Sequence, residues 1–203
     1  MNLPINQQTV LITGAGRGLG SSITKSFHKE GAKVIINYRK SYESAKKLSE
    51  SLGDKAILIK GDIRNKKEVI RMRKELSDQN IIINTIVHNA INDYKFNGEQ
   101  RKKIDEIDWQ DFQNQIETSQ KGFLNLLNIF TPNMMKDHFG RFITIGTNLF
   151  QNPVVPYHDY TAAKAGLLSI TRTAAIDLGK FNITVNMISG GLLKITDASK
   201  GTP

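Results

Sequence analysis

The sequence contains no cysteine. That excludes disulfides, thiolate metal ligands and a cysteine nucleophile, and it agrees with a reducing, cytoplasmic compartment. The four histidines, His28, His88, His138 and His158, are scattered without metal-ligand spacing, so no metal site is expected. No stretch approaches eighteen apolar residues, so no membrane-spanning helix is expected. The opening MNLPINQQ lacks a charged stretch followed by an apolar run, so no secretion signal is expected. Aromatic residues make up only 7%, and no basic motif is interleaved with them, which argues against a nucleic-acid partner.

Acidic residues are scarce in one part of the chain. Residues 1–80 hold 8 Asp or Glu against 16 Lys or Arg, and so carry +8 of the net +9. Solvated helix faces, a nucleic-acid surface, or a field attracting a phosphorylated ligand would each account for this.

The 203 residues fit one domain, 1–203, with a sizeable core. Six short apolar runs read as strands: TVLIT (9–13), KVIIN (33–37), AILIK (56–60), IIINTIVHNA (81–90), RFITIGT (141–147) and ITVNMI (183–188). Helices are predicted over 18–30, 41–52, 65–77, 109–136 and 157–179. Leu19, Ile23 and Phe27 share one face of the first. Tyr42, Ala45, Leu48 and Leu52 share one stripe of the second. Residues 91–108 are polar and irregular. Strands apolar throughout, alternating with helices, predict βαβ units and a parallel sheet covered on both faces. The fold class is therefore α/β, a three-layer, doubly wound Rossmann fold. Such sheets bind ligands at the carboxyl ends of their strands, near the switch point in strand order.

Residues 13–20, TGAGRGLG, follow a strand and open a helix. A helix N-terminus offers unpaired N–H groups and a partial positive charge, and glycine lets the backbone approach a phosphate. The spacing fits T-G-x-x-x-G-x-G at Thr13, Gly14, Gly18 and Gly20 rather than G-x-G-x-x-G. In YTAAK, Tyr160 and Lys164 are four apart and share a helix face. An ammonium near a phenol favours phenolate, so Lys164 is expected to lower the Tyr160 pKa into a usable range.

Together these segments resemble the short-chain dehydrogenase/reductase family, over residues 8–196 in order and spacing. GDI (61–63) and HNA (88–90) match further family segments. NYRKS, GRFITIGT and YTAAKAGLLSITRTAAIDLG look most like 3-oxoacyl-acyl-carrier-protein reductases. The resemblance implies hydride transfer between a nicotinamide cofactor and a carbonyl, with Tyr160 as proton donor and Lys164 as its partner. At the position of the family's serine stands Thr147, and at that of its relay asparagine stands Ser119. Cofactor contacts are implied for Gly14, Arg17, Gly18, Leu19, Gly20, Asn37, Tyr38, Arg39, Asp62, Ile63, Asn89, Ala90, Tyr160, Lys164, Gly190 and Leu192.

The end of the second strand, Asn37-Tyr38-Arg39-Lys40, has no acid to hold the ribose of NAD. Arg39 and Arg17 suit the extra phosphate of NADP(H), which is the cofactor expected. In SGGLLKIT, Ser189 replaces a family proline, Lys194 takes a threonine position, and Thr196 lies two further on. The implied substrate is a 3-oxoacyl thioester, on acyl carrier protein or CoA. Reduction of another small ketone and a catalytically silent NADP-binding protein are the alternatives. Carrier docking would fall on His138 and Phe181, near Lys136 and Lys180. The family continues past this point with a covering helix, a further strand and a glycine-rich segment. The fold is thus expected to be truncated after the sixth strand, and a homotetramer is implied for a longer chain.

Overall fold

The computed structural model describes residues 3–92, 94, 96–97 and 100–193; Lys194 and Thr196 lie outside them. The strands are β1 (Thr9–Ile12), β2 (Lys33–Tyr38), β3 (Ala56–Lys60), β4 (Thr85–His88), β5 (Gly140–Ile145) and β6 (Ile183–Ile188). The helices are α1 (Gly18–Lys29), α2 (Tyr42–Leu52), α3 (Lys66–Asp78), α4 (Trp109–Ile116), α5 (Gly122–Lys136) and α6 (His158–Leu178). All strand pairings are parallel, in the order β3-β2-β1-β4-β5-β6. The order reverses between β1 and β4, and the carboxyl ends of those two strands form the switch point.

Alternation along each strand builds two cores. Leu11, Ile35, Ile59, Ile86 and Phe142 face one side and pack with Val69 and Met72 of α3, Phe123 and Leu126 of α5, and Leu167 of α6. Val10, Ile12, Val34, Ile36 and Val87 face the other side and pack with Ala45 and Leu48 of α2, and with Ile23 and Phe27 of α1. The three expected layers are present. Coverage of both faces is not uniform, however. The crossovers into β5 and β6 place α5 and α6 on one side, so the opposite face of β6 leaves Thr184, Asn186 and Ile188 exposed.

Two elements depart from the predicted ranges. The fourth strand spans Thr85–His88 rather than 81–90. At its start, the Asn84 side chain, not its backbone, accepts the Thr9 N–H at 3.0 Å. At its end, the Asn89 and Ala90 N–H groups both turn to the Thr13 hydroxyl at 3.0 Å. The predicted helix 109–136 is also not continuous. A π turn, Glu117–Lys121, separates α4 from α5. π turns insert one residue into the ladder and give no periodic signature in sequence.

The core makes a direct prediction. Phe142→Ala should cost about 3–5 kcal/mol of stability, because Phe142 is fully buried between α5 and the sheet. Ile188→Ala, on the uncovered face, should stay within about 0.5 kcal/mol. Urea unfolding of the two variants against the parent chain measures the difference.

Candidate active site

The switch point is held by Thr13. Its hydroxyl accepts the N–H groups of Asn89 and Ala90 and lies 3.4 Å from the Val87 carbonyl. The Asn89 amide in turn donates to the carbonyls of Thr13 at 3.0 Å and Gly14 at 3.3 Å. This ties the glycine loop to the end of β4. The loop needs its glycines: Gly14 and Gly18 adopt φ of +63° and +52°. A Cβ on Gly20 would run into the Gly14 carbonyl and lie 2.7 Å from the Asn89 amide nitrogen. The Ala15 N–H donates to the Asn37 carbonyl at 3.0 Å, which closes the loop against β2.

No side chain caps the start of α1. Its first N–H groups, at Gly18, Leu19 and Gly20, have no intrahelical acceptor by helix geometry and face the switch point with the positive end of the dipole. A glycine loop packed this closely against Asn89, Ala90 and α2, at an uncapped helix start, fits a pyrophosphate. Arg17 is exposed beside it, and Leu19 is half-buried.

At the ends of β2 and β3 lies a basic rim. Asp62 is bound by Arg64 through Nη2 at 2.6 Å and Nε at 3.0 Å, and Arg39 stands 3.7 Å away. The hydrogen bonds from Arg64 hold the Asp62 carboxyl below the usual carboxylate range. Arg64 was not among the residues picked out in the sequence, although it lies only two positions after Asp62. Asn37 is buried, and its amide nitrogen donates to the Gly61 carbonyl at 3.1 Å. Its side chain is thus committed to the β2–β3 junction. Ile63 is likewise buried in the core, and its carbonyl accepts the Asn125 amide at 2.8 Å. Tyr38 stands at the last position of β2, half-buried.

On the other flank, β5, the π turn and α6 converge. Thr147 lies just past the end of β5, not within it. Gly146 keeps its pairing with Ile188, and the Thr147 hydroxyl accepts the Leu149 N–H at 3.3 Å. The Thr147 hydroxyl lies near enough to the Tyr160 phenol to act on its ionisation. Lys164, 1% exposed, donates from Nζ to the Ile145 carbonyl at 2.6 Å. Its Nζ is 5.7 Å from the centre of the Tyr160 ring. Ser119 sits in the π turn, and its carbonyl lies 3.0 Å from Nε2 of His88. Gly190 and Leu192 are exposed past the end of β6, where the Gly190 carbonyl accepts the Asn148 N–H at 3.1 Å.

An aromatic layer covers Tyr160. Tyr94 stacks on it at 5.0 Å and 28°, and Phe96 meets it edge-on at 5.2 Å. Arg101 lies 4.2 Å over Tyr94 and pairs at 2.8 Å with Asp159, which is buried. These residues of 91–108 carry no periodic or spacing signal, so sequence reasoning missed them. Burial sets the electrostatics that follow. Tyr160 is pushed up to about 12 by burial, with the Thr147 hydroxyl opposing the shift. The expectation that Lys164 lowers this pKa is corrected here: the ammonium is turned to the Ile145 carbonyl. Lys164 itself is pulled down to about 8 by burial, and His88 to about 3 by burial and by the Lys164 charge.

Not every predicted position joins this site. His138 and Phe181 meet, with rings 6.3 Å apart, and Lys180 lies 5.2 Å over Phe181. They stand before β5 and β6, at the end of the sheet opposite Thr147 and Tyr160. A groove of about 610 Å³ runs along Ile104, Phe112, Val154 and His158, and neither Lys164 nor the glycine loop lines it.

This strand order, with a glycine loop at the switch point and Tyr160 and Lys164 at the same end of the sheet, is that of a doubly wound nucleotide-binding fold. A family model for short chain dehydrogenases matches residues 8–202, and the chain belongs to that family, whose members act on CH–OH or C=O groups. The 3-oxoacyl-acyl-carrier-protein reductase FabG of Staphylococcus epidermidis is 32% identical over 189 residues, covering 92% of this chain and 75% of that protein. A 3-oxoacyl-acyl-carrier-protein reductase from Brucella melitensis, solved with bound NAD, superimposes with a TM-score of 0.82 at 24% identity, over 91% of this chain and 71% of that one. A gluconate 5-dehydrogenase from Burkholderia cenocepacia, solved with NADP and tartrate, gives 0.80 at 22%, over the same shares, 91% and 71%. At these identities the two structures share the fold.

The buried neutral imidazole makes a stability prediction. Unfolded, a histidine binds a proton below about 6.5; folded, His88 does not. Its contribution is therefore present above that value and falls as pH drops, by up to about 1.4 kcal/mol per unit. Urea unfolding at pH 7 and pH 5 should show a steeper loss for the parent chain than for His88→Asn. Equal losses would contradict a neutral buried ring.

Proposed function

We propose that this chain is an NADPH-dependent reductase of a carbonyl, with 3-oxoacyl thioesters as its substrate class. The observation that carries the reading is the meeting of Thr147, Tyr160 and the buried Lys164 at the carboxyl end of β5, the same end of the parallel sheet as the glycine loop. A carbonyl oxygen placed between the Thr147 and Tyr160 hydroxyls would receive two hydrogen bonds. Those bonds strengthen as negative charge develops on it.

A nicotinamide held here would supply hydride to the carbonyl carbon. The chain's own residues do the rest. Thr147 orients the oxygen, and its branched Cβ restricts χ1 to few positions. Tyr160 keeps its proton through neutral pH because burial favours the uncharged phenol, and it passes that proton from Oη to the developing alkoxide. Lys164 holds a buried positive charge beside the ring, anchored by the Ile145 carbonyl. The covering Tyr94 and Phe96 exclude water from the proton being transferred.

Gly14, Gly18, Leu19 and Gly20 would hold the pyrophosphate. Asn89 and Ala90 would lie along the dinucleotide between the two strand ends. Asp62 and Ile63 would flank the adenine, with Asn37 and Tyr38 at the adenosine ribose. Gly190 and Leu192 would border the nicotinamide. Arg17 and Arg39 would take the 2′-phosphate that distinguishes NADPH from NADH. The basic rim around Asp62, to which Arg64 adds a second guanidinium, supports that choice, since neither β2 nor its end presents an unpaired acid for a ribose hydroxyl. Similarity to a FabG protein at 32% identity supports the thioester substrate.

Oxidation of NADPH by the chain with acetoacetyl-CoA, run beside NADH, tests the reading. Tyr160→Phe should lower kcat by about 10²–10⁴-fold while cofactor affinity is kept. Retained turnover in that variant would overturn the assignment of the proton donor. Arg39→Ala should weaken NADPH binding by about 10-fold or more and leave NADH binding nearly unchanged, since a charge-assisted contact to phosphate is lost. Fluorescence titration of both cofactors distinguishes this from a general loss of binding.

A further inference from the structure

His88 is a buried titratable group that the reaction described above does not use. Its ring points to the same side of the sheet as Ile86, because strand side chains alternate, and so lies beneath α5 and α6. Three groups meet it there. Nε2 lies 3.0 Å from the Ser119 carbonyl oxygen. A carbonyl only accepts, so Nε2 carries the hydrogen and Nδ1 is a bare acceptor. The ring stacks on Phe123 at 5.4 Å and 21°. The Lys164 ammonium is close enough to oppose any charge on the ring.

Nδ1 is fully buried and has no hydrogen-bond partner among the described residues. Buried acceptors of this kind are satisfied in folded proteins, often by an internal water. Lys164 is the donor at hand. Its ammonium carries three hydrogens, and the Ile145 carbonyl takes one of them. The register sets the carbonyl that holds Lys164 next to His88: His88 pairs with Thr144, the residue before Ile145.

We propose that His88 is a positioning residue for Lys164: a neutral imidazole, held in one tautomer by the Ser119 carbonyl, whose Nδ1 accepts from the Lys164 ammonium through one buried water. The proposal rests on the reading of Tyr160 and Lys164 as the acid–base pair. It also gives the π turn a task. The inserted residue lets the helix present the Ser119 carbonyl to β4 within an otherwise helical run. Among the groups packed around the ring, Lys164 of α6 is the charged one. The π turn offers only a carbonyl, α5 offers Phe123, and β5 offers the uncharged Thr144. Lys164 in turn faces the ring of Tyr160.

A hydrogen bond to the charged form raises a lysine's pKa. Taking the acceptor away should therefore let Lys164 give up its proton at lower pH. His88→Leu removes both polar atoms at similar volume. His88→Asn keeps an N–H for the Ser119 carbonyl and an oxygen for the water. The experiment follows the Lys164 side-chain resonance against pH by NMR in the full chain and in both variants, with thermal unfolding as a check on folding. Nitrogen-15 shifts of His88 are recorded in the parent chain.

The expected result is an Nε2–H tautomer with Nδ1 accepting a hydrogen bond. In His88→Leu the Lys164 midpoint should fall by about one unit, a tenfold change in its proton affinity, and in His88→Asn it should recover. The alkaline limb of NADPH-dependent acetoacetyl-CoA reduction should move with it. A proton on Nδ1, a free Nδ1 in the parent chain, or an unmoved Lys164 midpoint in a folded His88→Leu would overturn the proposal. The nitrogen-15 result decides the matter even if His88→Leu does not fold. Absence of turnover in the parent chain, with the lysine shift intact, would instead count against the reductase reading alone.

Discussion

The reversal of strand order between β1 and β4 is the constraint on which the rest depends. Parallel strands send their crossovers to one side on the left of β1 and to the other side on its right, so the two carboxyl ends diverge. A crevice opens at such a point. One hydroxyl, that of Thr13, holds its two walls at a fixed spacing by accepting two N–H groups from the end of β4. The glycine loop, the uncapped start of α1 and the exit of β4 all take their positions from that contact. Loss of the threonine hydroxyl would leave two partly buried N–H groups unsatisfied and free the loop from the sheet.

Burial is the second theme, and it acts differently on each ionisable group. Tyr160, Lys164 and His88 lie in one low-dielectric region beneath an aromatic cover. Desolvation keeps the phenol protonated, loosens the lysine's hold on its proton, and keeps the imidazole neutral. Each shift favours the uncharged form, yet the lysine remains charged at neutral pH because its pKa starts so high. The Lys164 ammonium, the Tyr160 phenol and the neutral His88 imidazole are thus arranged by solvent exclusion rather than by ion pairing. The ion pair that does lie nearby, Arg101 with Asp159, serves the cover: it fixes Tyr94, which stacks on Tyr160.

Much of this was legible in the sequence. Apolar runs such as VLI (10–12) and VII (34–36) are buried on both faces, as a parallel sheet covered by helices requires of three consecutive β-formers. The spacing Thr13, Gly14, Gly18, Gly20 reflects local backbone needs, two positive φ values and one close approach, so it is readable residue by residue. Tyr160 and Lys164 share a helix face by simple periodicity. The π turn was not legible, because one inserted residue leaves the apolar pattern of 109–136 nearly intact. Nor was the cover, because Tyr94, Arg101 and Asp159 are separated by up to 65 positions and meet only through the fold.

By itself, then, the sequence determined the α/β class, the six strands, the glycine cradle and the pairing of Tyr160 with Lys164, since each rests on local conformational preference or on helical and strand periods. Only the tertiary structure decided where charge and polarity end up. It turned Lys164 toward the Ile145 carbonyl, gave the Ser119 carbonyl to His88, and ringed Asp62 with Arg39 and Arg64. It also left Thr184, Asn186 and Ile188 of β6 exposed among the described residues. The physical reason is that hydrogen-bond partners and burial are properties of groups brought together from distant positions, and no local pattern encodes which of them will meet.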